Sequence, residues 1–262
     1  MVEIVNATVR YNKMSKKAAL DAVNFTSGGE KAVIIGPNGS GKTTILRLLL
    51  GLAISETGTV KVFGQSVNRI KNETRVSTNL SDVYRIMRCT VLDTFKIYAK
   101  MKGGNMEEPI DMIRKFGLQG ILGNKLYELS TGQQKMVCNI LAFSFSPSII
   151  LLDEPFDNVD QGSRIKLLEI IGNYKGDIIL NTHEFDFLNR LKGWSMYFMI
   201  EGKIFGKFNS DQLRDLYLNK GEIAGNLGVI ETSFGKFCIT ENYGSVPIST
   251  SRNLNSMFDE VA

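Results

Sequence analysis

The chain has 262 residues, of which 43% are hydrophobic and 22% charged. That is enough apolar material for a substantial core and too even a balance for wholesale disorder. The net charge is +4, and residues 209–262 hold four Lys/Arg against seven Asp/Glu, which leaves the preceding body near +7. A mild positive excess suits a polyanionic ligand, but it is too scattered for a DNA- or RNA-binding face, and no nucleic-acid partner is expected. Cys89, Cys138 and Cys238 lie far apart with no CxxC pair, so neither a disulfide framework nor a zinc site is indicated.

The opening MVEIVNATVRYNK alternates like a strand and lacks the apolar core of a signal peptide. No window approaches the roughly 20 apolar residues needed to span a bilayer. The best stretch, Trp194–Ile200, is short enough to be a strand. The chain is therefore expected to be soluble and cytoplasmic, with any membrane role supplied by partners.

In chain order, residues 1–35 read as two or three strands ending in the continuous apolar run KAVII, the pattern of a buried parallel strand. After GPNGSGKTT, Thr43–Leu50 reads as an apolar-rich helix closed near Gly51, and TVKVF between Gly58 and Gly64 as a strand. From about 83 to 146 the periodicity is helical. Then come a strand at Ile149–Leu152, a helix at 161–173, a strand at Asp177–Asn181, a helix at 184–192, and strands Met196–Ile200 and Lys203–Phe208 turning at Glu201-Gly202. Farther on, GVIET-SFG-KFCIT resembles a hairpin within about 227–249, and the last dozen residues read as loosely ordered. Alternating strands and helices imply an α/β fold with a mainly parallel sheet, an antiparallel N-terminal β part, a helical insert and a small C-terminal β extension. The expected division is 1–220 for the main domain, with the insert at about 83–146, and 221–262 for the extension.

Gly36-Pro37-Asn38-Gly39-Ser40-Gly41-Lys42-Thr43, followed by Thr44, is a complete GxxxxGK[ST] phosphate loop between a buried strand and a helix. Its glycines let backbone N–H groups face phosphate oxygens, and the helix adds its positive end. Lys42 is expected to neutralise phosphate charge, and the Thr43 hydroxyl to ligate Mg²⁺. Ile149-Ile-Leu-Leu-Asp153-Glu154 delivers two carboxylates at the end of an apolar strand, Asp153 suited to the metal and Glu154 to the attacking water. Leu129-Ser130-Thr131-Gly132-Gln133 opens a helix; by itself it is an ordinary N-cap, although a capping hydroxyl and free amides can also bind phosphate.

Taken together, the phosphate loop, the LSxGQ segment ahead of LLDEP, Val159-Asp160 and Asn181-Thr182-His183 resemble the ATP-binding-cassette (ABC) ATPases over about residues 1–208. The order and spacing of the set are far more specific than any one motif. The resemblance implies a phosphate-loop NTPase core that hydrolyses ATP with Mg²⁺. It also implies Tyr11 as the aromatic that stacks on adenine, against the alternative of a half-buried strand tyrosine. His183, the only histidine, would touch the γ-phosphate and be catalytic beside Glu154. Ser130, Gly132, Gln133 and Asp160 would contact nucleotide across a dimer, because in that family the phosphate loop of one copy and the signature of another grip the same ATP. The implied partners are a second ABC subunit, identical or related, and integral membrane permease subunits, which place the chain on the inner face of the cell membrane.

Two departures stand out. Thr131 occupies the usual glycine of the signature, with phosphate binding expected to survive through Ser130 and Gly132. The strand RVSTNL leads into Ser81-Asp82 with no glutamine to serve the metal; Asp82 is the best match and Asn79 the fallback, either able to supply an oxygen. Within the insert, the run Tyr84–Val91 is a candidate permease contact, against a plain packing helix.

Other classes fit less well. A soluble ABC ATPase acting on ribosomes or DNA would need two cassettes or a heptad-bearing insert. A GTPase would need a guanine-reading NKxD, but Asn124-Lys125 is followed by Leu-Tyr. Cargo and direction of transport do not follow from the fold.

Overall fold

The computed structural model describes residues 1–12, 17–70, 73–85, 88–233 and 235–250. The chain begins with β1 (Val2–Val9), β2 (Leu20–Ser27) and β3 (Lys31–Ile35), then α1 (Lys42–Leu49), β4 (Thr57–Val62) and β5 (Gln65–Ser66). It continues through β6 (Val76–Thr78), α2 (Ser81–Arg85), α3 (Val91–Lys102), α4 (Glu107–Lys115) and α5 (Thr131–Phe143). β7 (Ile149–Asp153), α6 (Gln161–Asn173) and β8 (Asp177–Thr182) follow. β9 (Ser195–Ile200) and β10 (Lys203–Asn209) precede a group of short strands, β11 (Leu216–Lys220), β12 (Gly228–Thr232), β13 (Gly235–Glu241) and β14 (Val246–Pro247). Two compact units result: Met1–Ile70 together with the chain from Asn181 onward, and Lys71–Leu180.

The first unit contains an antiparallel sheet of order β2-β1-β4-β5. β1 buries Val2, Ile4, Ala7 and Val9, and the strict alternation expected of a one-sided strand is interrupted where the β1–β2 register shifts between Ile4 and Ala7. β3 runs parallel to β9, pairing Ala32 with Ser195 through Ile35 with Phe198. Both strands are buried along nearly their whole length, as strands covered on both faces must be. β10 returns antiparallel to β9 through Glu201 (φ 48°) and Gly202 (φ 81°), the paired left-handed residues of a tight hairpin. The expected turn at Glu201-Gly202 is thus the one formed.

Also in this unit, β12-β13-β11-β14 form a separate antiparallel sheet. β12 and β13 are the hairpin anticipated around 227–249. β11, however, pairs with β13 from Leu216 to Lys220, so this sheet takes up residues on both sides of position 220. The last dozen residues and Phe234 lie outside the described residues. A helix at 184–192 does not form; only the single 3-10 turn Leu188–Arg190 is helical there. Phe185, Phe187, Leu188 and Leu191 are all buried, a set that fits a broad helix face as well as the buried loop that forms, so the apolar spacing does not separate the two.

In the second unit, β6 lies parallel to β7, with Val76 opposite Ile149 and Thr78 opposite Leu151. α5 is the most buried helix, with Met136 through Phe143 enclosed. α3 is capped by Thr90, whose side chain accepts from Asp93 N, and ends at Gly103 with φ 70°, a regular left-handed stop. The candidate permease strip Tyr84–Val91 is corrected in part: Tyr84 and Val91 are buried, and the Tyr84 hydroxyl donates to Thr78 O. Burial pushes the Tyr84 phenol well above its ordinary pKa. Ile86 and Met87 lie outside the described residues. Among the described residues no helix is long and apolar enough to cross a membrane.

Candidate nucleotide site

The first unit carries the phosphate loop. β3 is fully buried from Ala32 to Ile35, and its continuation is fixed by Gly36 N donating to Thr182 O at 3.1 Å, at the end of β8. Thr182 immediately precedes His183, which is half-buried, so the loop's first residue and the histidine's strand are joined by a backbone bond. Gly41 takes φ 109° at the N-cap of α1, and a Cβ there would stand 2.4 Å from Ala19 O. Both its conformation and its surroundings therefore demand glycine.

α1 opens with no side-chain cap and no acidic residue in its first turn. The contrast with α5 and α6 is informative, because both of those are capped by side chains, Ser130 and Asp160. The first N–H groups of a helix have no partner within the helix. With no side-chain cap at this end, the positive pole of the helix can meet an anion. Lys42 is buried and donates to the loop carbonyls Gly36 O at 2.6 Å and Pro37 O at 3.1 Å, so its ammonium is already folded over the loop. Pro37 O also accepts from Ser40 N, and the buried Ser40 Oγ has no hydrogen-bond partner. Asn38 and Gly39 are exposed at the tip and Thr43 is half-buried. Tyr11 lies beyond the end of β1, 60% exposed, with its hydroxyl donating to Thr44 Oγ1 at 3.2 Å. It is exposed and lies outside the strand, and an exposed ring tethered to α1 through its hydroxyl can accept a stacked base.

The second unit carries the acidic end of β7. Ile149–Leu152 are essentially inaccessible, and Asp153 and Glu154 emerge half-buried. Glu154 adopts φ 44°, a conformation rare for a non-glycine residue and characteristic of places where a side chain must be aimed. Asn79 is buried, and its Oδ1 accepts from Asp153 N at 2.7 Å. The fallback metal ligand therefore has its oxygen directed at the strand backbone, whereas Asp82 is exposed in the first turn of α2.

Ser130 caps α5, accepting from Gln133 N at 3.3 Å while Gln133 Oε1 accepts from Ser130 N at 3.1 Å. This reciprocal box confirms the capping geometry and still leaves the Ser130 hydroxyl proton available to a ligand. Thr131 is exposed at the first helical position, which tolerates a β-branched residue, so the glycine-to-threonine departure introduces no backbone conflict. Gly132 is different. A Cβ there would lie 2.4 Å from Asn158 O, so the helix start is packed directly on the segment before Asp160. Asp160 caps α6 through Ser163 N at 3.0 Å, and its hydrogen bonds with Ser163 hold its carboxyl below the usual range. A cleft of about 230 Å³ opens here, lined by Ser130, Gly132, Gln133, Asn158 and Asp160 among others.

Gly132→Ala is accordingly expected to destabilise the fold. The roughly 1 kcal/mol helix-propensity gain of alanine is outweighed by an overlap that costs about 1–3 kcal/mol to relieve. Thr131→Gly should destabilise by at most about 1 kcal/mol, and urea midpoints of the two variants check the ordering.

Sequence reasoning missed Asn139 and Lys135 of α5. Lys135 Nζ donates to Asp153 O at 3.0 Å and Asn139 Nδ2 to Pro155 O at 2.8 Å. The available signal was a lone asparagine inside the apolar run MVCNILAF.

The family model described as ABC transporter matches residues 20–157, more than half of the chain. The chain belongs to the ABC transporter family. The energy-coupling factor transporter ATP-binding protein EcfA1 of Streptococcus pyogenes is 31% identical over 200 residues, 71% of each chain. The crystal structure of a chain named as a cobalt transport ATP-binding protein, cbiO-2, is 33% identical with a TM-score of 0.90, covering 100% of both chains. An ATP-binding cassette in a dimeric, post-hydrolysis state bound to ADP and Pi is similar in fold, with a TM-score of 0.69 at 23% identity, over 80% of this chain and 99% of that one. As an ABC ATP-binding subunit the protein is an ATPase whose hydrolysis is coupled to transport.

Proposed function

We propose that two ABC cassettes, either two copies of this chain or this chain with a related one, close around ATP and drive separate integral membrane permease subunits. The observation that carries this reading is that α1 starts without a side-chain cap behind a complete phosphate loop, while the signature helix has a start that is capped but exposed. One helix end is built for the chain's own nucleotide; the other presents Ser130, Gly132 and Gln133 outward, where a partner's nucleotide can meet them. With no membrane-crossing helix among the described residues, attachment to the inner face of a membrane would come through the permease.

Within this reading, Lys42 and the N–H groups from Gly39 to Thr44 neutralise and orient the phosphates. Pro37 and Asn38 shape the loop tip, and Tyr11 stacks on adenine. Thr43, Asp153 and Asp82 offer hydroxyl and carboxylate oxygens, a hard donor set that suits Mg²⁺; when bound, the ion would neutralise charge on the phosphate oxygens. Glu154 accepts a proton from the attacking water, and His183 donates a hydrogen bond to the γ-phosphate and holds the water in line. Asp160, at the cap of α6, lies beside the signature cleft and contributes to the facing surface.

Lys42→Ala tests the loop. Loss of a charge-assisted bond worth about 1.5–3 kcal/mol is expected to weaken ATP binding by roughly 10- to 100-fold. Calorimetric titration showing unchanged affinity would remove the phosphate loop from the argument.

A further inference from the structure

Asn139 is completely buried in the middle of α5, among Val137, Cys138, Ile140 and Leu141. Asn79, just past the end of β6, is 2% exposed. Asn79 Nδ2 donates to Asn139 Oδ1 at 2.8 Å and to Asp153 O at 3.2 Å, while Asp153 N donates to Asn79 Oδ1 at 2.7 Å. Asn139 Nδ2 then donates to Pro155 O at 2.8 Å. The parallel ladder between β6 and β7 stops at Thr78 and Leu151, and the Asn79 amide extends it by taking both the N–H and the C=O of Asp153. The orientation of both amides is dictated by these partners: the Asp153 N–H needs an acceptor, and Pro155 offers only a carbonyl. Lys135, one turn before Asn139 on α5, adds a third grip on Asp153 O at 3.0 Å.

The three residues so held are Asp153, Glu154 and Pro155, with Glu154 at φ 44° between the two anchored carbonyls. Beyond bonding each other, the two amides satisfy backbone groups of Asp153 and Pro155, so they contribute to stability as well. What they add beyond that is direction, since each bond fixes the plane of a peptide rather than merely filling space. We infer that Asn79 and Asn139 are positioning residues for the hydrolytic reaction, fixing the peptide planes that aim Asp153 and Glu154 and tying them to the helix that begins at Ser130. This rests on the proposed roles of Asp153 toward the metal and Glu154 toward water, and it assigns to Asn79 a task on the backbone in place of metal ligation.

The test uses the full chain carrying Asn79→Leu and Asn139→Leu together, which leaves neither side-chain amide facing an apolar group but takes the acceptor from Asp153 N and the donor from Pro155 O. Expected results are a melting temperature lowered by several degrees, since two backbone groups lose their side-chain partners, a folded protein at about 25 °C, and unchanged affinity for Mg-free ATP. Mn²⁺ affinity of the nucleotide complex, read by electron paramagnetic resonance, should fall by about 10-fold or more, the scale seen when groups orienting metal ligands are lost. The kcat should fall with KM for ATP unchanged. A folded double variant with wild-type Mn²⁺ affinity and kcat overturns the inference. Should that variant fail to fold, Asn139→Ala, which removes the bonds to Asn79, Pro155 O and the Met136 sulfur, should show the same split, and its absence is equally decisive. Wild-type protein that binds ATP yet never hydrolyses it, with Mg²⁺ present, would instead overturn the proposed roles of Asp153 and Glu154.

Discussion

Glu154→Gln is expected to bind ATP as the wild type does while losing about 10²- to 10⁴-fold in kcat, the range that a positioned general base contributes. The substitution is nearly isosteric, and the strained φ of 44° is imposed by the turn that follows, where Asp157 N donates to Glu154 O at 3.2 Å. Glutamine therefore inherits the same backbone and the same direction. Only basicity is removed: an amide oxygen still accepts a hydrogen bond from water but cannot take its proton at neutral pH. Phosphoryl transfer asks for positioning and electrostatics rather than a covalent nucleophile, so ATP affinity, which rests on the loop around Lys42, should be unchanged. Parallel measurement of single-turnover hydrolysis and nucleotide affinity separates the two. Near-normal turnover in Glu154→Gln would take the carboxylate out of the chemistry.

The phosphate loop and the acidic end of β7 were legible in the sequence because each is local. GPNGSGKTT needs only its neighbours to form a loop and helix start, and ILLDE needs only an apolar strand with a polar exit. α6 likewise spans 161–173 as its pattern predicts. The segment after His183 was misread as a helix because polar Glu184, Asp186 and Asn189 separate apolar residues at roughly helical intervals. That pattern fits a helix and a buried loop alike, and the backbone forms only the single turn Leu188–Arg190 with Phe185 and Phe187 both buried. β11 was not recognised because LYLNK is five residues with only two aliphatic positions in alternation, and its strand character depends on β13 being alongside. The pairing of Asn79 with Asn139 spans sixty positions, and nothing in either local pattern announces the other. A resemblance to a family assigns roles to motif residues but is silent on the side chains that hold a motif's backbone in place.

The dimer offers the sharpest remaining test. Ser130 is exposed at the start of α5, so an arginine there has room to extend without disturbing the core. Ser130→Arg should therefore keep ATP affinity at its own phosphate loop, since that loop is built from β3 and α1 rather than from α5. Its hydrolysis should nonetheless fall by roughly 10²-fold or more, because a missing donor to a developing charge costs about that much and the long cation obstructs closure. Mixed with Glu154→Gln protein, it forms heterodimers with two unlike sites. One joins the Glu154→Gln phosphate-loop half to the arginine-bearing signature and is doubly defective. The other joins an intact phosphate loop and Glu154 to an intact Ser130. If one working site suffices for turnover, activity should reappear in the mixture, toward about a quarter of the wild-type rate when random pairing makes half the dimers mixed and each has one site of two. No recovery at any mixing ratio, combined with a Glu154→Gln protein that sediments as a monomer with Mg-ATP present, would exclude the homodimer. The partner cassette would then be a related chain, with exposed Thr131 at the meeting surface as one residue able to distinguish the two.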